Sequence, residues 1–241
     1  MYHRLRYEAR ELGMRFFALP LLVTLIFVGV ALLAAFDAGR SGDSAAIAHD
    51  YLAKGLLFLL EFGIPPVAGL IAANVVADNS ALELHLSLPH SYAGVIGLRL
   101  ALLTLWTWLT CLIVALVVGV AGYWIAPQPA PQSAFIWFAP CLWFICGGAL
   151  LTLLLRSRIA SSALLGMLWI GELLFRPVFL QNTALQKIYL FLTLETIKSG
   201  SAPNAAYWLT NRLTLLAMAA LFLVGTALLL RQNEYLLGHE A

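Results

Sequence analysis

Charge is what this sequence has least of. Asp, Glu, Lys and Arg together make 11% of its 241 residues, against roughly 25% in a soluble domain. With 62% hydrophobic residues and a mean hydropathy of +0.89, the chain cannot cover itself with polar surface. That excludes a soluble globular domain and indicates an integral membrane protein. The net charge of +2 gives no basic face for nucleic acid. Cysteine is scarce as well. Cys111, Cys141 and Cys146 lie inside apolar runs, and none belongs to a Cys-x-x-Cys pair or lies near a histidine. They read as small core hydrophobes.

Sequence motifs for several chemistries are also missing. There is no Gly-x-x-x-x-Gly-Lys-Ser/Thr loop, so this chain does not itself hold nucleotide phosphates in that way. There is no His-Glu-x-x-His helix, no Gly-x-Ser-x-Gly elbow and no dinucleotide fingerprint. The strict alternation of a membrane β-barrel does not occur. No internal repeat or low-complexity tail divides the chain, which reads as a single domain over residues 1–241. The start does not read as a signal peptide. Its long polar segment contains Glu8 and Glu11, and the apolar run that follows is too long for a signal core.

What is present is six long apolar segments: about Phe16 to Phe36, Tyr51 to Ala77, Ile96 to Gly119, Ala134 to Leu155, Ile159 to Leu180 and Tyr207 to Leu230. Each is near or above the ~20 residues that cross ~30 Å of hydrocarbon as a helix. Backbone groups without partners are intolerable in lipid, so helices are expected throughout. The expected fold is an all-α integral membrane protein with six transmembrane helices.

Arginine placement sets the orientation. With the N-terminus inside, the inner side holds Arg4, Arg6, Arg10, Arg15, Arg99, Arg156, Arg158 and Arg231. The outer side holds Arg40, Lys54, Lys187, Lys198 and Arg212, and Arg176 falls within a span. Both termini are therefore expected in the cytoplasm, with the protein in the cell membrane.

Residues 1–15 carry Tyr2, Leu5, Ala9 and Leu12 on one helical face, continuing to Phe16, and arginines and glutamates elsewhere. An amphipathic helix in the headgroup layer is expected there. The outer loop 181–206 carries a stripe of Leu185, Ile188 and Leu192, which predicts a short helix on the outer membrane surface. Trp124, Trp137 and Trp208 sit near span ends, as interfacial aromatics do.

Charges within spans are costly and therefore informative. Glu172 and Arg176 are four apart in the fifth span, where they can share a face and pair. Such a pair is either a polar point on a substrate path or subunit contact, or a structural ion pair. Glu61 precedes Pro65-Pro66, which should kink or locally unwind the second span. It then faces a water-filled cavity, caps freed N–H groups, or sits hydrogen-bonded or protonated at a static kink. His85 and His90, with Glu83 nearby, supply too few ligands for a metal site and read as surface histidines.

The stretch Asp78 to Arg99 combines acids, two histidines, a proline and an arginine between apolar runs. Leucines precede Pro89, which stops a helix because it lacks an N–H and its ring clashes with the preceding turn. A short amphipathic surface helix, or a plain polar loop, fits these residues.

The run ALELHLSLPHSYAGVIGLRL within this stretch resembles the segment after the second helix in type 2 permeases of ATP-binding-cassette (ABC) exporters. Glu83, Leu86-Ser87-Leu88-Pro89, Ser91 and Arg99 carry the resemblance. So, more broadly, do the N-terminal amphipathic helix, the six spans and the sixth span opened by YWLTNRL. Asp78-Asn79-Ser80-Ala81 and His85 depart from the family pattern.

The resemblance implies a cytoplasmic coupling segment over residues 78–95, with Glu83, Leu86, Leu88, Pro89 and His90 against a separate ATPase subunit. It implies a second permease copy, or a homologous permease, completing the pathway. It also implies that this chain is not an enzyme: ATP and Mg would be bound by the partner subunit, and no cofactor by this chain. Membrane lipid would surround the whole. Two other classes compete. One is an intramembrane enzyme using Glu61, Glu172 and Arg176. The other is a membrane scaffold or sensor that recruits a soluble partner.

Overall fold

The computed structural model describes residues 13–40, 45–77, 92–125, 130–198 and 205–239. Residues 1–12 and 78–91 lie outside that set. With them go most of the expected N-terminal amphipathic helix and the site positions Glu83, Leu86, Leu88, Pro89 and His90. The regular structure of the described residues is helical, without a strand.

Helix α1 spans Gly13–Arg40. Helix α2 (Ala45–Phe58) passes through a π-helical turn (Leu59–Gly63) directly into α3 (Ile64–Ala77). Then come α4 (Tyr92–Val120), a short α5 (Ala130–Ser133), α6 (Phe135–Leu155), α7 (Arg158–Leu174) and α8 (Arg176–Gln181). Two short helices, α9 (Thr183–Gln186) and α10 (Leu192–Lys198), lead to the long α11 (Ala205–His239). Among the described residues, five helices are long and apolar enough to cross a membrane: Phe16–Ala34, Ala46–Ala77, Ala93–Val120, Phe135–Leu155 and Tyr207–Gln232.

Burial ranks these helices. The most apolar window of Ala46–Ala77 is 78% buried and that of Phe135–Leu155 is 56% buried, whereas that of Phe16–Ala34 is 17% and that of Tyr207–Gln232 is 22%. The second and fourth segments thus form the centre, and the first, third and last present apolar faces outward. Leu25, Leu33, Leu116, Val117 and Leu221 are more than half exposed, which suits a lipid surround. Glycine lets the central pair meet. A Cβ on Gly69 would stand 2.8 Å from Phe144 O, and one on Gly148 would collide with Gly69 O. Small residues bring helix backbones close where lipid offers no hydrophobic drive for association.

The fifth apolar segment differs from the expected continuous span. It breaks at Phe175 (φ −93°, ψ 18°) into α7 of 17 residues and α8 of 6. Pro177 has no N–H for the helix ladder, and Val178 N–H bonds instead to Phe175 O, three residues back, at 2.9 Å. At its other end α7 follows α6 through a tight turn. Arg156 is left-handed (φ 49°) and Ser157 caps α7 by accepting from Ala160 N–H at 3.3 Å. Thr152 donates to Ser161 Oγ at 2.9 Å and ties the two helices together.

Candidate functional site

The site forms where the chain between α8 and α11 folds back into the bundle. The loop holds the short helices α9 and α10, and residues Tyr189 to Glu195 are all buried against the rest of the chain. Leu192 packs inward with them, at 5% exposure. Backbone without regular structure can be held inside a membrane protein only if each polar group finds a partner. Side chains from three surrounding helical segments supply them here.

Glu61 supplies the first set. It sits in the π turn, where Ile64 N–H reaches back to Leu59 O, five residues away. Pro65 and Pro66 cannot donate in the normal ladder, and the helix widens locally into the π turn Leu59–Gly63. Glu61 is 0% exposed, and no water-filled cavity faces it. Its Oε1 accepts from Thr193 N–H at 3.0 Å and its Oε2 from Leu194 N–H at 2.9 Å, at the start of α10. Negative charge is favoured at such an end, where helical N–H groups lack partners. Glu61 therefore caps freed N–H groups, but those of a different helix, 132 residues away in sequence.

Arg212 supplies the second set. Charge counting assigned it only to the outer side, with no partner named. It is completely buried and paired with Glu61. Its Nη1 donates to Leu190 O at 3.1 Å and its Nη2 to Thr193 Oγ1 at 2.6 Å. Trp208 Nε1 donates to the same Thr193 oxygen at 3.0 Å, and the Arg212 guanidinium lies 5.5 Å from the Trp208 ring centre. Trp208 is 0% exposed, packed within the protein. Asn211 donates to Gln186 O at 2.8 Å and to Tyr189 O at 3.0 Å. Trp208, Asn211, Arg212 and Leu215 follow i, i+3, i+4, i+7 spacing, and all four are buried. That stripe, which begins in YWLTNRL and ends at Leu215, was a sequence signal for the site.

The fifth segment supplies the third set and corrects a second expectation. Glu172 and Arg176 do not pair with each other. Glu172 Oε2 accepts from Leu190 N–H at 2.9 Å, and Arg176 pairs with Glu195. The break at Phe175 turns α8 away from the register of α7, so spacing of four no longer implies one face. Glu195, Thr193 and Tyr189 were not among the sequence candidates, although the apolar run around them, Leu190, Phe191, Leu192 and Leu194, was a signal that this stretch is core.

Aromatic rings fill the space around these bonds. Phe62 stacks on Phe58 at 4.2 Å between centroids and touches Trp169 at 4.5 Å and Phe191 at 5.0 Å. Tyr189 is fully buried, and its hydroxyl has no hydrogen-bond partner among the described residues. Burial first, then the nearby Glu195, Glu172 and Glu61 carboxylates, push that hydroxyl well above its usual range, with Arg176 acting against them. It is a neutral O–H group.

Alongside the network lies an apolar cavity of about 260 Å³ between α1, α3 and α7, lined by Phe27, Pro66, Leu165 and Trp169 among others. Glu61 does not line it.

Chemically, Glu61 is engaged in holding structure: three donors, two backbone N–H groups and Arg212, share its two fully buried oxygens. Among the described residues no group of three or more His, Cys, Asp or Glu stands ready to hold a metal ion. The arrangement acts as a lock, fastening the 189–195 segment to the second, fifth and sixth apolar segments. No protein-family model, curated protein or solved structure matches this chain.

Proposed function

We propose that this chain is the membrane-spanning permease subunit of an ABC exporter, crossing the cell membrane six times with both termini in the cytoplasm. The run from Ala81 to Leu100, with Glu83 and Leu86-Ser87-Leu88-Pro89, is the observation that carries this assignment. The all-helical architecture with five helices able to cross a membrane is compatible with it. The remaining crossing is α7 continued by α8. Together they cover residues 158–181, long enough for ~30 Å of hydrocarbon even with a break.

In this proposal two permease copies, or this chain and a homologue, enclose the pathway. An ATPase subunit holding ATP and Mg docks on residues 78–95 through Glu83, Leu86, Leu88, Pro89 and His90. Nucleotide-driven closure of the ATPases moves that segment and switches access to the pathway. The Glu61–Arg212 lock keeps the far end of the bundle one rigid unit, so that movement at one end is transmitted rather than absorbed. An intramembrane enzyme built on Glu61, Glu172 and Arg176 is less well supported, because Glu61 is fully buried and holds backbone and Arg212, and the other two have different partners.

Purification of the tagged chain in mild detergent tests the proposal. The expected result is co-purification of an ATP-hydrolysing subunit. Recovery of a lone chain that turns over a lipid or peptide, or of a partner without ATPase activity, overturns it in favour of an enzyme or a scaffold respectively.

A further inference from the structure

The apolar cavity between α1, α3 and α7 has walls that run from apolar to polar. On one side Gly63, Val67 and Leu70 line it, and Asn74 is the next position on that helical face. On the other side Ser162, Leu165 and Trp169 line it, and Arg158 lies one turn before Ser162 on the same face. The two walls are antiparallel. Phe62 touches Trp169, and a Cβ on Gly148 would meet both Gly69 O and Leu165. In that register Asn74 and the Arg158–Ser162 turn come to the same end of the slot.

The apolar part suits a hydrocarbon chain. An apolar cavity of about 150 Å³ already stays dry and takes apolar guests, and this one holds about 260 Å³. From Gly63 to Leu70 its wall rises roughly 10 Å at 1.5 Å per residue, most of the ~15 Å depth of one leaflet. Val23, Val67, Leu70 and Gly166 in its lining are only half-buried, so the slot opens sideways, where lipid surrounds the chain.

The polar end suits an anion. Asn74 is the one exposed residue of α3. It donates one amide hydrogen to Leu70 O at 2.8 Å, which leaves the second for a ligand. Arg156 and Arg158 are exposed and make no ion pair among the described residues. Arg158 also opens α7, where the helix dipole disfavours a cation and favours an anion. A negative headgroup there offsets both arginines.

We propose that this slot holds the acyl chain of an anionic membrane phospholipid. Its phosphate meets Arg158 and Asn74, and its chain lies between Val67 and Leu70 on one side and Leu165 and Trp169 on the other. The bound lipid ties the outer helices α1 and α7 to the central α3. Basic pockets between membrane helices recognise anionic headgroups in this way. The orientation given above makes this a lipid of the cytoplasmic leaflet, and only that detail rests on the proposed function.

Photo-crosslinking of the full chain in phosphatidylcholine nanodiscs tests this. The discs carry a trace of phosphatidylglycerol, or of phosphatidylcholine, with the same diazirine-bearing acyl chain. Phosphatidylglycerol label should map to residues 63–74 and 162–170, and should exceed phosphatidylcholine label about five-fold, the preference that one arginine gives an anionic lipid. Arg158→Gln should bring the two lipids near parity with the slot still labelled. Gly166→Phe should clear the slot of both labels, because open space lies where the glycine's Cβ would stand. Equal labelling by the two lipids in the parent overturns the proposal before any variant is made. So does label confined to other segments, as when a second copy covers the slot. A phosphatidylglycerol preference that survives Arg158→Gln, or slot label that survives Gly166→Phe, overturns it too. Both leaflets of a nanodisc carry the probe, so the outcome does not depend on the direction of insertion or on an ATPase partner.

Discussion

Glu61 and Arg212 lie 151 positions apart and bond to each other with neither side chain exposed. Each also holds backbone of the 189–195 segment, so three pieces of chain depend on one contact. Removing one member of a buried pair strands the other's charge, which costs about 3–5 kcal/mol, while removing both costs much less than the sum. Arg212→Met should therefore lower stability by that amount, and Glu61→Gln with Arg212→Met should recover part of it. Thermal melting in nanodiscs measures both. Equal losses in the single and double variants would mean that the N–H bonds of Thr193 and Leu194 dominate the site.

Arg176 should couple to Glu195 and not to Glu172. The Arg176 side chain is 42% exposed, so screening limits the pair to about 0.2–1 kcal/mol. A double-mutant cycle of Arg176→Ala with Glu195→Ala should return an interaction energy in that range. The cycle with Glu172→Ala should return none. Coupling to Glu172 of similar size would restore the four-residue pair expected from spacing.

The contact between the central helices makes its own prediction. Gly148→Ala drives a methyl into the Gly69 backbone, where no flexible side chain can yield. Overpacking of this kind costs about 1–3 kcal/mol. Gly29→Ala, whose Cβ meets nothing within 4 Å, should be neutral or slightly stabilising. Melting and folded yield of the two variants, compared directly, decide the point.

For the proposed docking segment, Glu83→Ala combined with Leu86→Asp should leave the helices inserted and folded. Central interface contacts typically cost more than ~1–2 kcal/mol each when truncated, so the variant should lose the ATPase subunit or its substrate-stimulated hydrolysis. Size exclusion of the co-expressed complex and an ATPase assay in nanodiscs read these outcomes. Full assembly with full coupled transport would remove residues 78–95 from the interface.

Helical class and most helix boundaries could be read from the sequence, because length and apolarity are local properties. The fourth segment, expected at about Ala134 to Leu155, is Phe135–Leu155, and the second and third extend only a few residues beyond expectation. The importance of Glu61 was visible too, since a lone acid beside two prolines in an apolar run is costly unless satisfied. Its partners were not. Arg212 and Trp208 sit close to a polar loop, and the sequence reading only counted the one among outer-side charges and set the other near a span end. Only the tertiary structure folds residues 189–195 into the bundle. Once there, that backbone needs donors and acceptors that lipid cannot offer, and Glu61, Glu172, Asn211 and Arg212 supply them. The same fold separates Glu172 from Arg176: the break at Phe175, with Pro177 at the start of α8, interrupts the periodicity on which a pairing by sequence spacing depends.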